Sequence, residues 1–353
     1  MPLDPQGTPA ENLARRVLEL VDIPSESGHE AQMYSYIDAA VPLHQVFADG
    51  ESIVFAKREG RPLVLLAGHT DTVPAQGNLP GRIEDGAVVG LGASDMKGGL
   101  GVMIELARWA AETDLAYDLA LLFFPREELG PSENPLPGVF GQVPLIDQSA
   151  LVICLEPTDN TVQLGCLGNL NARVVFEGRA AHSARPWMGV NAIALALEGL
   201  SPILHLEPRD VVIEGLLFRE VLSVTQIHGG IAQNVVPAWA EATLNFRFAP
   251  DRTPAEAEAH VRELVGREVE ILSVAPAAHV AAGSALVREL RAAGGYELQP
   301  KQAWTNVADF AARGLDAINL GPGGTRYAHA ADERVEVAEL ERTFAALQRF
   351  LLG

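Results

Sequence analysis

The chain has 353 residues, with 26 Lys and Arg against 46 Asp and Glu, for a formal charge of −20 at pH 7. That balance excludes a nucleic-acid partner, because no basic cluster is present to neutralise phosphates and release their counterions. A hydrophobic content of 48% in a chain longer than a usual single domain implies two domains with substantial cores.

The stretch from Met1 to Asn12 lacks the basic start and apolar centre of a signal peptide, and no apolar run is long enough to span a bilayer. A cytoplasmic protein with no membrane partner is expected. Only two cysteines occur, Cys154 and Cys166, without metal-ligand spacing. Cys154 lies in an apolar run and reads as core, and the absence of a disulfide framework fits a reducing compartment.

The first informative segment is Pro62 to Ala67, a mostly apolar run that reads as a buried strand, followed by Gly68-His69-Thr70-Asp71. His69 and Asp71 then share one face near the carboxyl end of the strand. A histidine can bind metal through one ring nitrogen while the other donates to a carboxylate such as Asp71. By itself, His-x-Asp is more often a satisfied polar pair at a strand end than a metal site. Next comes the glycine-rich turn Gly90 to Gly99, with Asp95 at its centre, opening an amphipathic helix to about Glu112. Its spacing is not that of a phosphate loop, and Asp95 would repel a phosphate.

The run Leu119 to Phe124 reads as a strand ended by Pro125, which lets Glu127 and Glu128 serve one site although strand neighbours point to opposite faces. Glu128 to Val143, rich in Pro and Gly, reads as the longest loop. Leu151 to Leu155 reads as another strand, with Glu156-Pro157 after it. From about Asn169 the order changes. Strands are expected at Leu170 to Glu177, Val221 to Ile227, Ala240 to Phe248 and Glu268 to Val274, with helices at Asn191 to Gly199 and Pro254 to Val265. This pattern suits a small α+β sandwich with an antiparallel sheet, inserted at 169–275 into an α/β domain made of 1–168 and 276–353. The resumed α/β pattern carries His329, which must fold back across the insertion.

Each acid taken singly reads as a solvated loop carboxylate. Together, however, they fall at the carboxyl ends of parallel strands, where side chains converge on one crevice. Gathering Asp95, Glu128 and Glu156 without a cation would desolvate each beside like charges. Two divalent ions remove that objection, and oxygen and imidazole donors without thiolate suit zinc, manganese or cobalt, with zinc the first choice for hydrolysis.

His69-x-Asp71, the turn carrying Asp95-Met96-Lys97-Gly98, Glu127-Glu128, Glu156-Pro157 and the late His329 resemble, in order and over nearly the whole chain, the M20 family of dinuclear zinc amidohydrolases and aminopeptidases. Within it, the segments Leu155 to Asp159, Ala181 to Gly189, Asn245 to Pro250 and Trp304 to Phe310 are similar to succinyl-diaminopimelate desuccinylases of the actinobacterial type. The resemblance implies two metal ions per chain, one held by His69 and Glu156 and the other by Glu128 and His329, with Asp95 bridging. It implies Asp71 orienting His69, and Glu127 as the general base that takes a proton from water and returns it to the leaving amine. It also implies a homodimer with an inserted, ferredoxin-like dimerisation domain, His182 of which donates to the oxyanion in the partner's site. The substrate implied is a small anionic N-acyl amino acid, N-succinyl-L,L-diaminopimelate.

Arg247 is the candidate for a substrate carboxylate by that resemblance and by its planar fork of donors; read without it, Arg247 is as well a strand arginine paired with a nearby Glu. Asn234 matches a family position near the substrate and is otherwise a turn residue. Thr325 and Gly324 could place backbone donors beside the ligand, although Gly323-Gly324 also reads as a flexible loop. One departure stands out: Gly165 to Asn169 carries no cation where proteobacterial desuccinylases have a basic pair. The acid end would then fall to Arg185 or Arg326. Otherwise the substrate would be that of an acetylornithine deacetylase or of a hydrolase of carrier-linked lysine or ornithine. A binding protein that has lost catalysis would show a defect in this set, and every position is intact.

Overall fold

The computed structural model describes residues 7–353; the first six residues of the amino-terminal stretch lie outside the described residues. The chain forms two compact units. One comprises the chain up to Leu164 with Ala281–Gln299 and Asp309–Gly353; the other is Gly165–Val280 with Pro300–Ala308. The expected insertion, 169–275, lies inside the second unit.

The first unit is built on an eight-stranded sheet. Its centre is four parallel strands in the order Asp118–Phe124, Leu63–His69, Ser149–Cys154 and Ala317–Asn319. Both flanks turn antiparallel, through Ile53–Lys57 on one side and Val162–Leu164 on the other. Every residue of Leu63–His69 and of Asp118–Phe124 is buried. That is why these strands read as unbroken apolar runs, covered on both faces, rather than as alternating ones. The parallel register sets His69 beside Phe124 and Ala67 beside Cys154. Three strands therefore end nearly level, and the residues that follow them open at one edge of the sheet.

Helices Pro9–Val21, Gly98–Ala111 and Val337–Leu352 pack against one another. The first is fixed at its start by a Thr8–Glu11 capping box. Two glycines decide how closely the site segments approach. A Cβ on Gly99, in the second of these helices, or on Gly321, after the Ala317–Asn319 strand, would overlap the Leu155 carbonyl oxygen. The backbone leading into Glu156 is thus clasped between the Asp95 turn and the segment that leads to His329.

In the second unit, an antiparallel sheet runs in the order Arg209–Ile213, Leu216–Gly229, Trp239–Phe248, Gly168–Glu177 and Glu270–Ala275. Helices Ala192–Leu204 and Pro254–Val265 contribute to its core through Ala192, Ala196, Leu200, Ala257 and Val261, packed with Leu170, Val174, Phe176, Leu244 and Phe246. Inward and outward residues alternate strictly along Trp239–Phe248, as expected of a sheet with one covered face.

Two expectations are corrected. The Arg209–Ile213 strand was not read from the sequence; it forms a hairpin whose turn places Glu214 and Gly215 at φ 50° and 79°. The Glu128 to Val143 loop contains a helical turn at Pro131–Glu133 and a helix at Leu136–Gln142, which buries Leu136, Val139 and Phe140. Among the described residues, no helix is long and apolar enough to cross a membrane.

Candidate metal centre

His69 is the last residue of its strand and is buried. Its Nδ1 lies 3.1 Å from the Asp71 carbonyl oxygen and 3.4 Å from Asp71 Oδ1, and its Nε2 lies 3.1 Å from Asp95 Oδ1. One ring nitrogen is therefore turned back to its own chain and the other forward to the carboxylates, as an imidazole ligand requires. Asp71 has further partners. Its Oδ1 accepts the Glu127 amide at 3.0 Å, and its Oδ2 accepts the Glu128 amide at 3.1 Å and the Ser27 hydroxyl at 2.7 Å. One buried carboxylate thus ties the histidine strand to the backbone of both glutamates. Because the strand ends at Phe124 and Arg126 turns the chain at φ 60°, adjacent residues 127 and 128 can face the same cluster.

Asp95 sits in a distorted turn, Ala93–Lys97, with φ −120° and ψ 95°. Its two oxygens face different histidines, Oδ1 to His69 Nε2 at 3.1 Å and Oδ2 to His329 Nε2 at 3.6 Å. His329 Nε2 also lies 2.9 Å from Glu128 Oε1. His329 holds φ 61°, sparsely populated for a non-glycine residue, and its carbonyl accepts the Gln76 side-chain amide at 2.8 Å. Ligand atoms of His69, Asp95 and Glu156 lie within 4.8 Å of one another, as do those of Asp95, Glu128 and His329 and those of His69, Glu127 and Glu128. Oxygen and imidazole donors in two overlapping groups that share Asp95 fit a pair of divalent ions.

The electrostatics express the same crowding. Burial, then the charges of Glu156, Glu128 and Asp95, push the Glu127 carboxyl well above the carboxylate range, against the opposing pull of His69. Burial and Asp95 raise Glu128, with His69 and His329 opposing. Burial would lower His69, but hydrogen bonds to Asp71 and Asp95 hold it well above its usual value. Asp71 behaves differently: burial would raise it, yet its bonds to His69, Ser27 and the Glu128 amide keep it down at about 2. The cluster demands positive charge, from protons or from metal, whereas Asp71 stays ionised as a brace.

Residues expected around the substrate divide between the units. In the second unit, His182 is exposed at the end of the Ala181–His182 strand and its Nδ1 accepts the Ala184 amide at 3.1 Å. The Asn234 carbonyl accepts the Ser183 amide at 2.9 Å, and Arg185 is exposed. Arg247 is half-buried; its Nε donates to Asn245 Oδ1 at 3.0 Å, and among the described residues it forms no ion pair, so the expected alternative of a Glu partner does not hold. Burial lowers its pKa.

In the first unit, Thr325 is exposed, and Arg326 lies 3.5 Å from Asp159. Gly323 and Gly324 are not the slack of a flexible loop. A Cβ on Gly323 would come within 2.5 Å of Ser94 Oγ, and one on Gly324 within 2.6 Å of Asp159 Oδ1. Sequence reasoning missed Ser27 and Glu333, the second of which binds the Asp95 turn through backbone amides.

A level row of parallel strand ends carrying a two-metal donor set defines a class, the metal-dependent hydrolases. The model of the peptidase family M20/M25/M40 matches residues 65–353, and the chain belongs to this family. A Corynebacterium glutamicum succinyl-diaminopimelate desuccinylase is 37% identical over 346 residues, covering 94% of each chain. A Mycobacterium tuberculosis protein provisionally named for the same activity is 38% identical over 359 residues, 99% of this chain and all of the other. The crystal structure of the aminopeptidase PepT from Bacillus cereus has the same fold, with a TM-score of 0.77 at 19% identity over 97% of this chain and 98% of that one.

Replacing the brace tests its role. Asp71→Ala is expected to weaken zinc binding by about 10–100-fold, the usual cost of losing a residue that orients a ligand, with the far-UV circular dichroism unchanged. Equilibrium dialysis showing wild-type zinc affinity would contradict it.

Proposed function

We propose that this protein hydrolyses the amide of N-succinyl-L,L-diaminopimelate, releasing succinate and L,L-diaminopimelate, with two divalent ions per chain, zinc foremost and cobalt or manganese as substitutes. The observation that carries the reading is the Asp95 carboxylate with one oxygen toward each histidine, at 3.1 and 3.6 Å; the two relatives named for this activity support the substrate.

His69 and Glu156 would hold one ion, Glu128 and His329 the other, and Asp95 both. When bound, the ions supply Lewis acidity, polarising the amide carbonyl and acidifying water near neutral pH. Glu127 takes the proton from the attacking water on its carboxylate and delivers it to the leaving nitrogen. Asp71 keeps His69 in the tautomer that leaves Nε2 free. Arg247, held at Nε by Asn245, offers its remaining donors to a substrate carboxylate, with Asn234 and Arg185 as further candidates on the same unit; on the first unit, Thr325 and the Gly324 backbone are candidates for substrate contacts. The segment Gly165 to Asn169 has no cation and is largely buried, so it takes no part in holding the acid end.

The second unit serves as a dimerisation domain in a cytoplasmic homodimer, with His182 completing the partner's oxyanion site. Trp187, 76% exposed, and Ile231, 89% exposed, are apolar side chains on that unit which a partner would cover.

Two experiments test this. Zinc-loaded protein given N-succinyl-L,L-diaminopimelate, N-acetylornithine and N-acetyl-lysine should prefer the succinyl substrate and lose activity with chelator. Glu127→Gln should keep its metal but turn over at least about a hundredfold more slowly. Preference for an acetyl substrate would move the reading to another acyl amino acid, and full activity in Glu127→Gln would remove that residue as the base. For the dimer, inactive Glu127→Gln and His182→Ala chains should recover activity when mixed. Absence of recovery with subunit exchange verified would contradict a shared site.

A further inference from the structure

Four residues beyond His329, Glu333 is only 1% exposed although it carries a carboxylate. Its Oε2 accepts the Gly92 amide at 2.8 Å, and its Oε1 accepts the Asp95 amide at 2.9 Å and the Ser94 amide at 3.1 Å. Its backbone carbonyl accepts the Gly90 amide at 2.9 Å. Within the turn these amides belong to, the Ala93 and Lys97 amides donate to the Gly90 and Gly92 carbonyls at 3.1 and 2.7 Å, but Asp95 and Met96 have non-helical dihedrals inside Ala93–Lys97, so the regular helical ladder does not hold Asp95. The buried Lys97 amine, which feels the Glu333 charge, donates to the Ile23 carbonyl at 2.9 Å. Glu333 also shares a tight turn with the His329 segment, its own amide donating to the Ala330 carbonyl at 3.2 Å.

We propose that Glu333 is a positioning residue for the metal bridge, gripping the backbone of the Asp95 turn so that the two Asp95 oxygens stay aimed at His69 and His329. The proposal rests on reading the cluster as a two-metal site. Burial, and after it the Asp95 charge, disfavours a negative charge on Glu333, and the three amide donors converging on its carboxyl are the offsetting interaction. A glutamine in its place would set an NH₂ group against at least one of those amides. Anchoring through Glu333 also links the two ends of the bridge, since one short segment carries both His329 and the acceptor for the Asp95 amide.

Zinc titration of the metal-free wild type and of Glu333→Gln by calorimetry, with the visible spectrum of each cobalt-loaded protein, separates the possibilities. Wild type should bind two ions. Glu333→Gln should bind at least one of them about 10–100-fold more weakly and change the cobalt band intensity, while Glu333→Asp, which keeps the charge but cannot reach both Gly92 and Asp95, should fall between. Glu220→Gln, which breaks pairs with Arg209 and Arg252 in the second unit, controls for lost stability and should leave zinc affinity unchanged. Wild-type affinity and spectrum in Glu333→Gln would overturn the proposal. If Glu333→Gln does not fold, Glu333→Asp is read by the same criterion. Fewer than two ions on the wild type would overturn the two-metal reading itself, and this proposal with it.

Discussion

Asp71, Asp95, Glu127, Glu128 and Glu156 crowd around two histidines in a largely buried cluster, and like charges so close are tolerable only beside strong positive charge. Protons can meet that demand, as the raised Glu127, Glu128 and His69 indicate. Two divalent cations meet it more completely and confer reactivity. The rest of the first unit can be understood as the means of keeping these groups together against their repulsion.

The sheet does the coarse placement. Parallel strands ending level bring His69, the glutamate pair and Glu156 to one edge although 87 residues of chain separate the first from the last. Glycine makes the finer adjustment, since Gly99 and Gly321 let two segments press on the Leu155 carbonyl, where any side chain would collide. Carboxylates aimed at backbone amides complete it. Asp71 does this for the Glu127–Glu128 loop and Glu333 for the Asp95 turn. Both are buried carboxyl groups that hold loops carrying other carboxylates, an arrangement that multiple convergent donors stabilise.

How much was legible in the sequence follows from what each residue touches. His69, Asp95, Glu127, Glu128 and Glu156 could be singled out because each follows or opens a recognisable apolar element, whereas His329, after a glycine-rich loop, was reached through the family resemblance. Strand interiors were equally plain, for a strand buried on both faces has no alternation to blur it. Glu333 left no local sign, since its partners are amides more than 230 residues earlier in the chain. Ser27 was hidden for the same reason. The Arg209–Ile213 strand, two charged residues followed by three apolar ones, has no alternating pattern and only a Glu-Gly turn to mark its hairpin. In the 136–142 helix, prolines and glycines masked a readable signal, because Leu136, Val139 and Phe140 have helical spacing and are buried.

The central claim is that Asp95 joins two ion sites built from these strand ends. The most direct test is a crystal structure of the zinc-loaded protein with data collected above and below the zinc absorption edge. Two anomalous peaks about 3.5–4 Å apart are expected, one against His69 and Glu156, the other against Glu128 and His329, with Asp95 between them. A single peak, or peaks that leave Asp95 without a contact, would contradict it.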